Sequence, residues 1–175
     1  MNASTDGGTP HTKSSPPRIS ATLLRDPGHL LALGFGSGLA PYAPGTFGTL
    51  AAIPVYLLCA QLPLMVYLLA VAAAFALGVY LCGRTARALG VHDHPGIVWD
   101  EVVGYLLTMT FAPPGWGWIL FGFACFRLFD IWKPWPIRVC DRHVHGGLGI
   151  MLDDLLAGAA AGVLVMSVAS GAKFF

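Results

Sequence analysis

The sequence predicts an all-α, multihelical integral membrane protein with about four to five hydrophobic helical segments. Hydrophobic residues make up 55% of the 175 residues and charged residues only 11%, whereas a typical soluble domain has about 25% charged residues. Several apolar stretches approach the ~20 residues that a helix needs to cross a bilayer. The net charge is +1, and no basic stripe with interleaved aromatic residues occurs, so no nucleic-acid partner is expected.

The N-terminal part of the chain differs from the rest in composition. Residues 1–28 are rich in Ser, Thr, Pro and Gly and have no apolar periodicity. Such a segment offers too little apolar surface to fold by itself, so a disordered polar tail is predicted. Residues 29–175 are then predicted to form one membrane-embedded domain.

A glycine- and proline-rich loop is predicted within residues 29–49. It follows a short apolar helix or turn and contains Gly-Ser-Gly at 36–38 and Pro-Gly-Thr at 44–46. Glycine allows tight turns and a close approach of the backbone to a ligand. Thr46 is expected to cap the next helix, whose first amides would suit an anion. The alternative is that these glycines only allow segments to pack closely in lipid.

Two apolar segments follow, Phe47–Leu62 and Leu64–Leu81, and Pro63 separates them. Because the link is so short, they are predicted to form a transmembrane helical hairpin. Residues 82–99 are predicted to form a polar loop. Its His-Asp-His motif at 92–94 has a spacing that is common by chance, so a supporting or surface role is favoured over zinc binding.

Asp100 and Glu101 open the next apolar run. Acids in the first turn of a helix are also stabilised by the helix dipole, so capping and a functional role are equally supported at this point. A Pro-Pro-Gly break at 113–115 interrupts the run. Residues 102–112 and 116–129 are therefore predicted to be two short helices joined by a turn.

Arg127, Asp130 and Lys133 recur at every third position, so on a helix they lie along one face. A salt-bridge ladder on a solvated helix end is the alternative to a functional site. Two prolines end the helix just beyond Lys133. The triplet is therefore predicted to lie at a helix end, beside the polar and glycine-containing residues 137–149.

Asp153 and Asp154 lie in the first turn of the last apolar segment, Ile150–Ser170. Neighbouring acids on a helix point about 100° apart, so one can bind a metal directly while the other holds a water or a nearby lysine. Further along, Gly158-x-x-x-Gly162 forms a face of small residues. That face is predicted to pack closely against a neighbouring helix.

The charged residues converge on one side if each apolar segment crosses or dips into the membrane once. The positive-inside rule assigns that side to the cytoplasm, because the basic residues fall there. Carboxylates without paired thiols favour Mg²⁺ over zinc. Carboxylate-bound Mg²⁺, basic side chains and loop amides suit phosphoryl transfer or hydrolysis, and a site at a membrane face suits a lipid phosphate.

The chain carries four long motifs, GFGSGLAPYAPGTFGT, HDHPGIVWDEVVG, FRLFDIWKPWPI and GGLGIMLDDLLAG. Together they resemble the phosphatidylglycerophosphatase A family over about residues 29–170. The resemblance implies a multihelical phosphatase of the bacterial inner membrane, with Mg²⁺ as cofactor and the active site facing the cytoplasm. It also implies hydrolysis of phosphatidylglycerophosphate to phosphatidylglycerol and inorganic phosphate, the last step of phosphatidylglycerol synthesis.

The family motifs and the physical reasoning select the same acids. The predicted catalytic residues are Asp100, Glu101, Asp130, Lys133, Asp153 and Asp154. Mg²⁺ is predicted to bind among Glu101, Asp130, Asp153 and Asp154, with Asp100 a further ligand or a neighbour of the ligands. The predicted phosphate-binding residues are Gly36, Ser37, Gly38, Thr46, Arg127 and Lys133, and His94 is a candidate general acid for the leaving lipid alkoxide.

Alternatives for the mechanism and the function stay open at this level. The phosphorus is attacked either by a metal-polarised water or by an aspartate that forms an aspartyl-phosphate. A small ion channel or transporter also places acids between helices, although these acids lie at helix starts and no internal repeat occurs. A structural membrane subunit would explain the glycines but not the carboxylates. The bilayer and a phospholipid are the expected partners, and the sequence carries no signal for an oligomeric state.

Overall fold

A computed structural model describes residues 17, 19–135 and 137–171, without the side chains of residues 141 and 142. Every regular element within these ranges is helical, which confirms the predicted all-α class. Two 3-10 turns occur, Leu23–Arg25 and Gly34–Leu39. The α-helices are α1 Pro27–Ala32, α2 Pro44–Cys59, α3 Leu64–Leu89, α4 Trp99–Thr108, α5 Trp116–Trp132, α6 Ile137–His143 and α7 Gly146–Gly171.

Helix α7 is the centre of the bundle and packs against α3, α4, α5 and α6. Glycines allow its closest contacts. A Cβ on Gly158 would lie 3.0 Å from the carbonyl carbon of Gly104 in α4, and one on Gly162 would lie 3.3 Å from the carbonyl oxygen of Thr108. The predicted Gly158-x-x-x-Gly162 packing face is therefore confirmed, and its partner is α4.

Helix α4 forms the buried wall opposite α7. Val102, Val103 and Tyr105 have no more than 1% of their surface exposed. The hydroxyl of Thr108 lies 3.0 Å from the carbonyl oxygen of Gly104 and 3.2 Å from that of Gly158, so it can donate to either helix. This packing holds the acidic start of α4 against α7.

Two helices within the described ranges, α3 and α7, are long and apolar enough to cross a membrane by length and composition. Each has 26 residues, which corresponds to about 39 Å of helix against a hydrocarbon core of about 30 Å. Helix α2 has 16 residues and contains Pro54. Of the two segments predicted as a transmembrane hairpin, only α3 has the length of a full span.

Two predicted loops are helical instead. Helix α3 continues through Leu89 and ends at Gly90, which has φ +69°. It continues because Cys82 and Ala86 are still buried in the core. Helix α7 begins at Gly146, so Asp153 and Asp154 lie beyond its first turn. The reason is that the glycines in its first turn pack against backbone atoms: a Cβ on Gly147 would lie 2.8 Å from the amide nitrogen of Gly83.

The folded part begins before residue 29, which differs from the predicted boundary of the disordered tail. Asp26 caps α1 by accepting a hydrogen bond from the backbone N–H of Gly28 at 2.8 Å. Arg84 of α3 donates to both oxygens of Asp26, at 3.0 and 2.6 Å. These contacts lower the pKa of Asp26 to about 2 and pin α1 to α3. Residues 1–16 and 18 of the predicted tail lie outside the described residues.

Candidate active site

Three carboxylates from two helices meet at one end of the bundle. Asp100 and Glu101 lie in the first turn of α4, and Asp154 lies on α7. One carboxylate oxygen from each lies within 4.8 Å of the other two. We call these three residues the carboxylate cluster.

The carboxylate cluster is largely buried, with Asp100 half-buried, and it is incompletely hydrogen-bonded. Glu101 is 9% exposed and Asp154 is 3% exposed. Within the part of the chain that the structure describes, Asp100 Oδ1, Glu101 Oε2 and Asp154 Oδ2 are buried and have no hydrogen-bond partner. Buried polar atoms are normally satisfied, so three such oxygens in one place indicate a site for a bound group.

The charge of the cluster favours a cation. Burial raises the pKa of Asp100, and the neighbouring charge of Glu101 raises it further. Burial also raises the pKa of Glu101 to about 8, and Asp154 contributes to that shift. A divalent cation would remove the repulsion that contributes to these shifts. The donor set consists only of carboxylate oxygens, which are the ligands that Mg²⁺ and Ca²⁺ prefer, so the residues present fit Mg²⁺.

Arg127 of α5 lies beside the cluster. Its Nη1 is 2.5 Å from Asp130 Oδ2 and 3.7 Å from Glu101 Oε1. Its Nε is buried and has no hydrogen-bond partner among the described residues. The guanidinium is therefore held in place by Asp130 while one N–H remains available for a bound anion.

The first turn of α2 also reaches the cluster, through Gly45. A Cβ on Gly45 would collide with Glu101 Oε1 and would lie 3.1 Å from Arg127 Nη1. Only glycine therefore allows the start of α2 to come this close to the two charged side chains. Gly45 was not among the predicted site residues, although the Pro-Gly pair at the start of an apolar run was the signal that could have identified it.

The predicted helix cap at Thr46 is wrong. Helix α2 begins three residues earlier than that cap implies, with Ala43 at the cap position and Pro44 at the first helical position. Proline fits there because its fixed φ suits the first turn and its missing N–H needs no partner. The backbone N–H of Thr46 donates to the carbonyl oxygen of Ala43 at 2.9 Å, so it is already engaged.

The other predicted phosphate-binding residues of the glycine-rich loop make contacts within the N-terminal half of the chain or at residues 94–96. The hydroxyl of Ser37 donates to the carbonyl oxygen of Gly34 at 2.8 Å. A Cβ on Gly38 would lie 2.9 Å from the carbonyl carbon of Gly96. Gly36 has φ +95°, a conformation that favours glycine. The contacts of Ser37 and Gly38 hold the turn in shape and against residues 94–96, and Gly36 supplies the backbone conformation that the turn needs.

The two remaining predicted acids lie next to basic side chains. Asp130 pairs with Arg127, and Asp153 forms an ion pair with Lys133, which follows the last residue of α5. Asp153 and Asp154 are adjacent on α7 and so point in different directions, one toward Lys133 and the other into the cluster. The three grouped acids share Glu101 and Asp154 with the predicted metal set and add Asp100. Asp130 lies beside both Arg127 and Asp154, and Asp153 lies beside Lys133. The predicted metal set as a whole stays a prediction.

The chain is similar to known proteins over most of its length. The family model described as "Phosphatidylglycerophosphatase A" matches residues 30–169. The chain belongs to the phosphatidylglycerophosphatase A family. It is 54% identical to the phosphatidylglycerophosphatase A of Escherichia coli K12 over 143 residues, which is 81% of this chain and 83% of the relative. It is 48% identical to that of Haemophilus influenzae over 147 residues, 83% of this chain and 90% of the relative. No solved structure is significantly similar.

Within this member of the phosphatidylglycerophosphatase A family, His94 has a positioning role for its loop. It is buried, and its Nδ1 accepts a hydrogen bond from the backbone N–H of Gly96 at 3.0 Å. The proton is therefore on Nε2, which donates to the carbonyl oxygen of Pro17 at 2.9 Å. Both ring nitrogens are engaged with the backbone, so the Nε2 proton is held by the carbonyl oxygen of Pro17 and is not directed at a leaving group while this bond persists.

Proposed function

We propose that the protein hydrolyses the terminal phosphomonoester of phosphatidylglycerophosphate, releasing phosphatidylglycerol and inorganic phosphate. The observation that carries the proposal is the carboxylate cluster, three acids that each hold a buried oxygen without a hydrogen-bond partner among the described residues, in a chain whose relatives are named phosphatidylglycerophosphatase A. The substrate is a phospholipid and the expected setting is the lipid bilayer.

The proposed cofactor is Mg²⁺, held by Asp100, Glu101 and Asp154. When bound, the ion supplies positive charge that stabilises phosphate oxygens and the attacking oxygen in phosphoryl transfer. The protein contributes the positions of the ligands, because Asp100 and Glu101 come from α4 and Asp154 from α7. The packing of Gly158 against Gly104 sets the distance between those two helices.

Arg127 is the proposed phosphate-binding side chain. Asp130 orients its guanidinium at 2.5 Å, and its Nε lies buried without a partner in the described ranges. An N–H in that position stabilises the negative charge that develops on the transferred phosphoryl group. The start of α2 at Gly45 adds the positive end of a helix dipole to the same place. Lys133, beside Asp153, supplies a second positive charge near the cluster.

In the reaction an oxygen nucleophile forms a bond to phosphorus while the bond between phosphorus and the glycerol oxygen breaks. The leaving oxygen takes up a proton, and the product lipid carries a hydroxyl group. The nucleophile is either a water molecule or a carboxylate of the cluster, which would form an aspartyl- or glutamyl-phosphate that water then hydrolyses. Acid quenching during turnover and mass spectrometry of the peptides distinguish the two routes, since only the second yields a phosphorylated peptide.

The proposed location is the bacterial inner membrane, with several membrane passes and the cluster facing the cytoplasm. The two helices of span length, α3 and α7, support insertion. The positive-inside rule supports the orientation, because Arg84, Arg87 and Lys133 belong to the same end of the bundle as the cluster. A channel or transporter has less support, since α4 and α7 carry no carboxylate deeper than Glu101 and Asp154.

The test is phosphate release from phosphatidylglycerophosphate by the full chain in detergent, with Mg²⁺ or with EDTA. The expected result is release that requires Mg²⁺ and is abolished by Asp154→Asn. Asp26→Asn is the matched control, because Asp26 lies outside the cluster and Asn keeps its capping role. No release by folded protein would overturn the reaction, and release that is indifferent to EDTA and to Asp154→Asn would overturn the metal site.

A further inference from the structure

A polar pocket of about 230 Å³ lies beside the carboxylate cluster and has no role in the proposed chemistry. Its lining consists of His92, Asp93, Val144, Gly149, Ile150 and Asp153. Two features connect it to the cluster. Asp153 precedes Asp154 in α7, and Asp93 lies close enough to Asp100 for its charge to raise the pKa of Asp100.

The rim of this pocket carries an ordered pair of imidazoles. The rings of His92 and His145 are 4.9 Å apart and meet edge to face, at 85°. This contact joins the loop between α3 and α4 to the start of α7 and restrains the His92 ring at the pocket mouth. Asp93, next to it, is exposed and presents a carboxylate, which accepts hydrogen bonds from hydroxyl groups.

Two other cavities suit a polar headgroup less well. One of about 450 Å³ is lined mainly by proline and apolar residues, and the one titratable side chain in its lining is His94, whose nitrogens are bonded to the backbone. A groove of about 240 Å³ along α3, α4 and α7 offers a single polar side chain, Thr110. The pocket at His92 and Asp93 combines hydrogen-bonding side chains with proximity to the cluster.

The size of the polar pocket limits its ligand to a small group. A volume of about 230 Å³ holds several waters, so it accommodates a glycerol unit and is too small for the acyl chains of a lipid. In phosphatidylglycerophosphate, a glycerol with one free hydroxyl separates the phosphodiester from the terminal phosphate. When the terminal phosphate lies at the cluster, this glycerol is the next part of the substrate along the chain.

We infer that this pocket binds the headgroup glycerol of the substrate, with Asp93 accepting a hydrogen bond from its free hydroxyl, and that Asp93 thereby determines selectivity for a glycerophosphate headgroup. The inference rests on the proposed function. Phosphatidic acid has a phosphomonoester on the same lipid body but lacks the headgroup glycerol. Phosphatidylglycerophosphate can make this hydrogen bond to a charged acceptor and phosphatidic acid cannot, so the contact favours the glycerophosphate headgroup.

The experiment compares wild-type protein with Asp93→Ala and Asp93→Asn in detergent micelles. Asp93→Ala is expected to lower kcat/KM for phosphatidylglycerophosphate by about tenfold to hundredfold, the effect of losing a hydrogen bond to a charged acceptor. The inhibition constant of phosphatidic acid as a competitor, measured whether or not it is hydrolysed, is expected to stay within about twofold, since that lipid makes no contact with Asp93. Asn is expected to retain part of the wild-type rate, because its amide oxygen still accepts. His143→Ala is the control, an exposed histidine outside the pocket lining.

Three results would overturn the inference. One is an unchanged kcat/KM in Asp93→Ala. Another is a parallel loss of phosphatidic acid binding, which would show a general effect on the site. The third is a loss of activity that excess Mg²⁺ fully restores, which would make Asp93 a cation ligand. Asp93→Asn, whose side chain has nearly the same shape, keeps the test available if the alanine variant unfolds. Failure of wild-type protein to release phosphate is a separate outcome that refutes the proposed function itself.

Discussion

Gly158 is expected to set the spacing of the carboxylate cluster, and replacing it by alanine tests this directly. Its Cβ would lie 3.0 Å from the carbonyl carbon and 3.1 Å from the Cα of Gly104. Both contacts are with backbone, so no side chain can rotate away and α4 must move away from α7. Asp154 lies one turn before Gly158, and Glu101 lies one turn before Gly104. A shift at this contact therefore moves the cluster acids apart.

The magnitude follows from a matched pair of glycines. Alanine is favoured over glycine in a helix by about 1 kcal/mol, and overpacking a close contact costs about 1–3 kcal/mol. A Cβ added to Gly117 in α5 would have no atom within 4 Å. Gly117→Ala therefore gains the helix preference of alanine and has no overpacking cost. Gly158→Ala is therefore expected to be about 1–3 kcal/mol less stable than Gly117→Ala. A displacement of about 1 Å in an active site costs up to about hundredfold in rate, so activity is expected to fall about tenfold to hundredfold.

The measurements are thermal unfolding and Mg²⁺-dependent phosphate release for both variants in the same detergent. The expected result is a lower unfolding temperature, a lower rate and a higher Mg²⁺ requirement for Gly158→Ala, with Gly117→Ala close to wild type in activity. Equal stability and equal activity of the two variants would refute the reasoning, because α4 and α7 would then not depend on this contact for their spacing.

Three further outcomes are expected. Arg127→Gln should lower kcat at least about hundredfold, which is the effect of losing one hydrogen-bond donor to a developing charge. The control, Arg138→Gln, is at an exposed position on α6 and should leave kcat unchanged. Similar rates for the two variants would exclude the phosphate role of Arg127. His94→Gln should lower kcat less than about tenfold and leave the pH–rate profile intact. Loss of a general acid would lower the rate by about 10²–10⁴-fold, and His94 is not expected to have that role. Loss of one limb of the profile would make His94 the general acid. The third outcome concerns Asp26, whose pKa is lowered from 3.8 to about 2 in the folded protein. Between these two pH values the unfolded state binds more protons than the folded state does. The stabilisation by the ion pair of Asp26 is therefore present above pH 3.8 and is lost as the pH falls through about 2. Asp26→Asn should remove that acid-dependent part of the unfolding temperature, and an unchanged pH dependence would contradict the assignment.

Much of the fold class was accessible from the sequence. Low charge, long apolar runs and a small-residue face at Gly158-x-x-x-Gly162 are local properties of the chain, and the structure confirms an all-helical fold with that face packed on α4. Helix boundaries were harder to predict. Residues 82–89 and 146–149 look like polar or glycine-rich loops, but tertiary packing keeps them helical, because their small side chains lie against neighbouring backbone.

The sequence by itself determined which side chains are available for the site. Five acids lie at the ends of apolar segments, where an ionised group is energetically costly and therefore indicates a function. Only the tertiary structure decided how they divide. Asp100, Glu101 and Asp154 converge, Asp130 lies beside both Asp154 and Arg127, and Asp153 lies beside Lys133. It also brought Gly45 against Glu101 from more than 50 positions away. Residue spacing defines which face of a helix a side chain occupies, but the crossing of α4 over α7 defines which faces meet, and that crossing depends on every contact in the bundle at once.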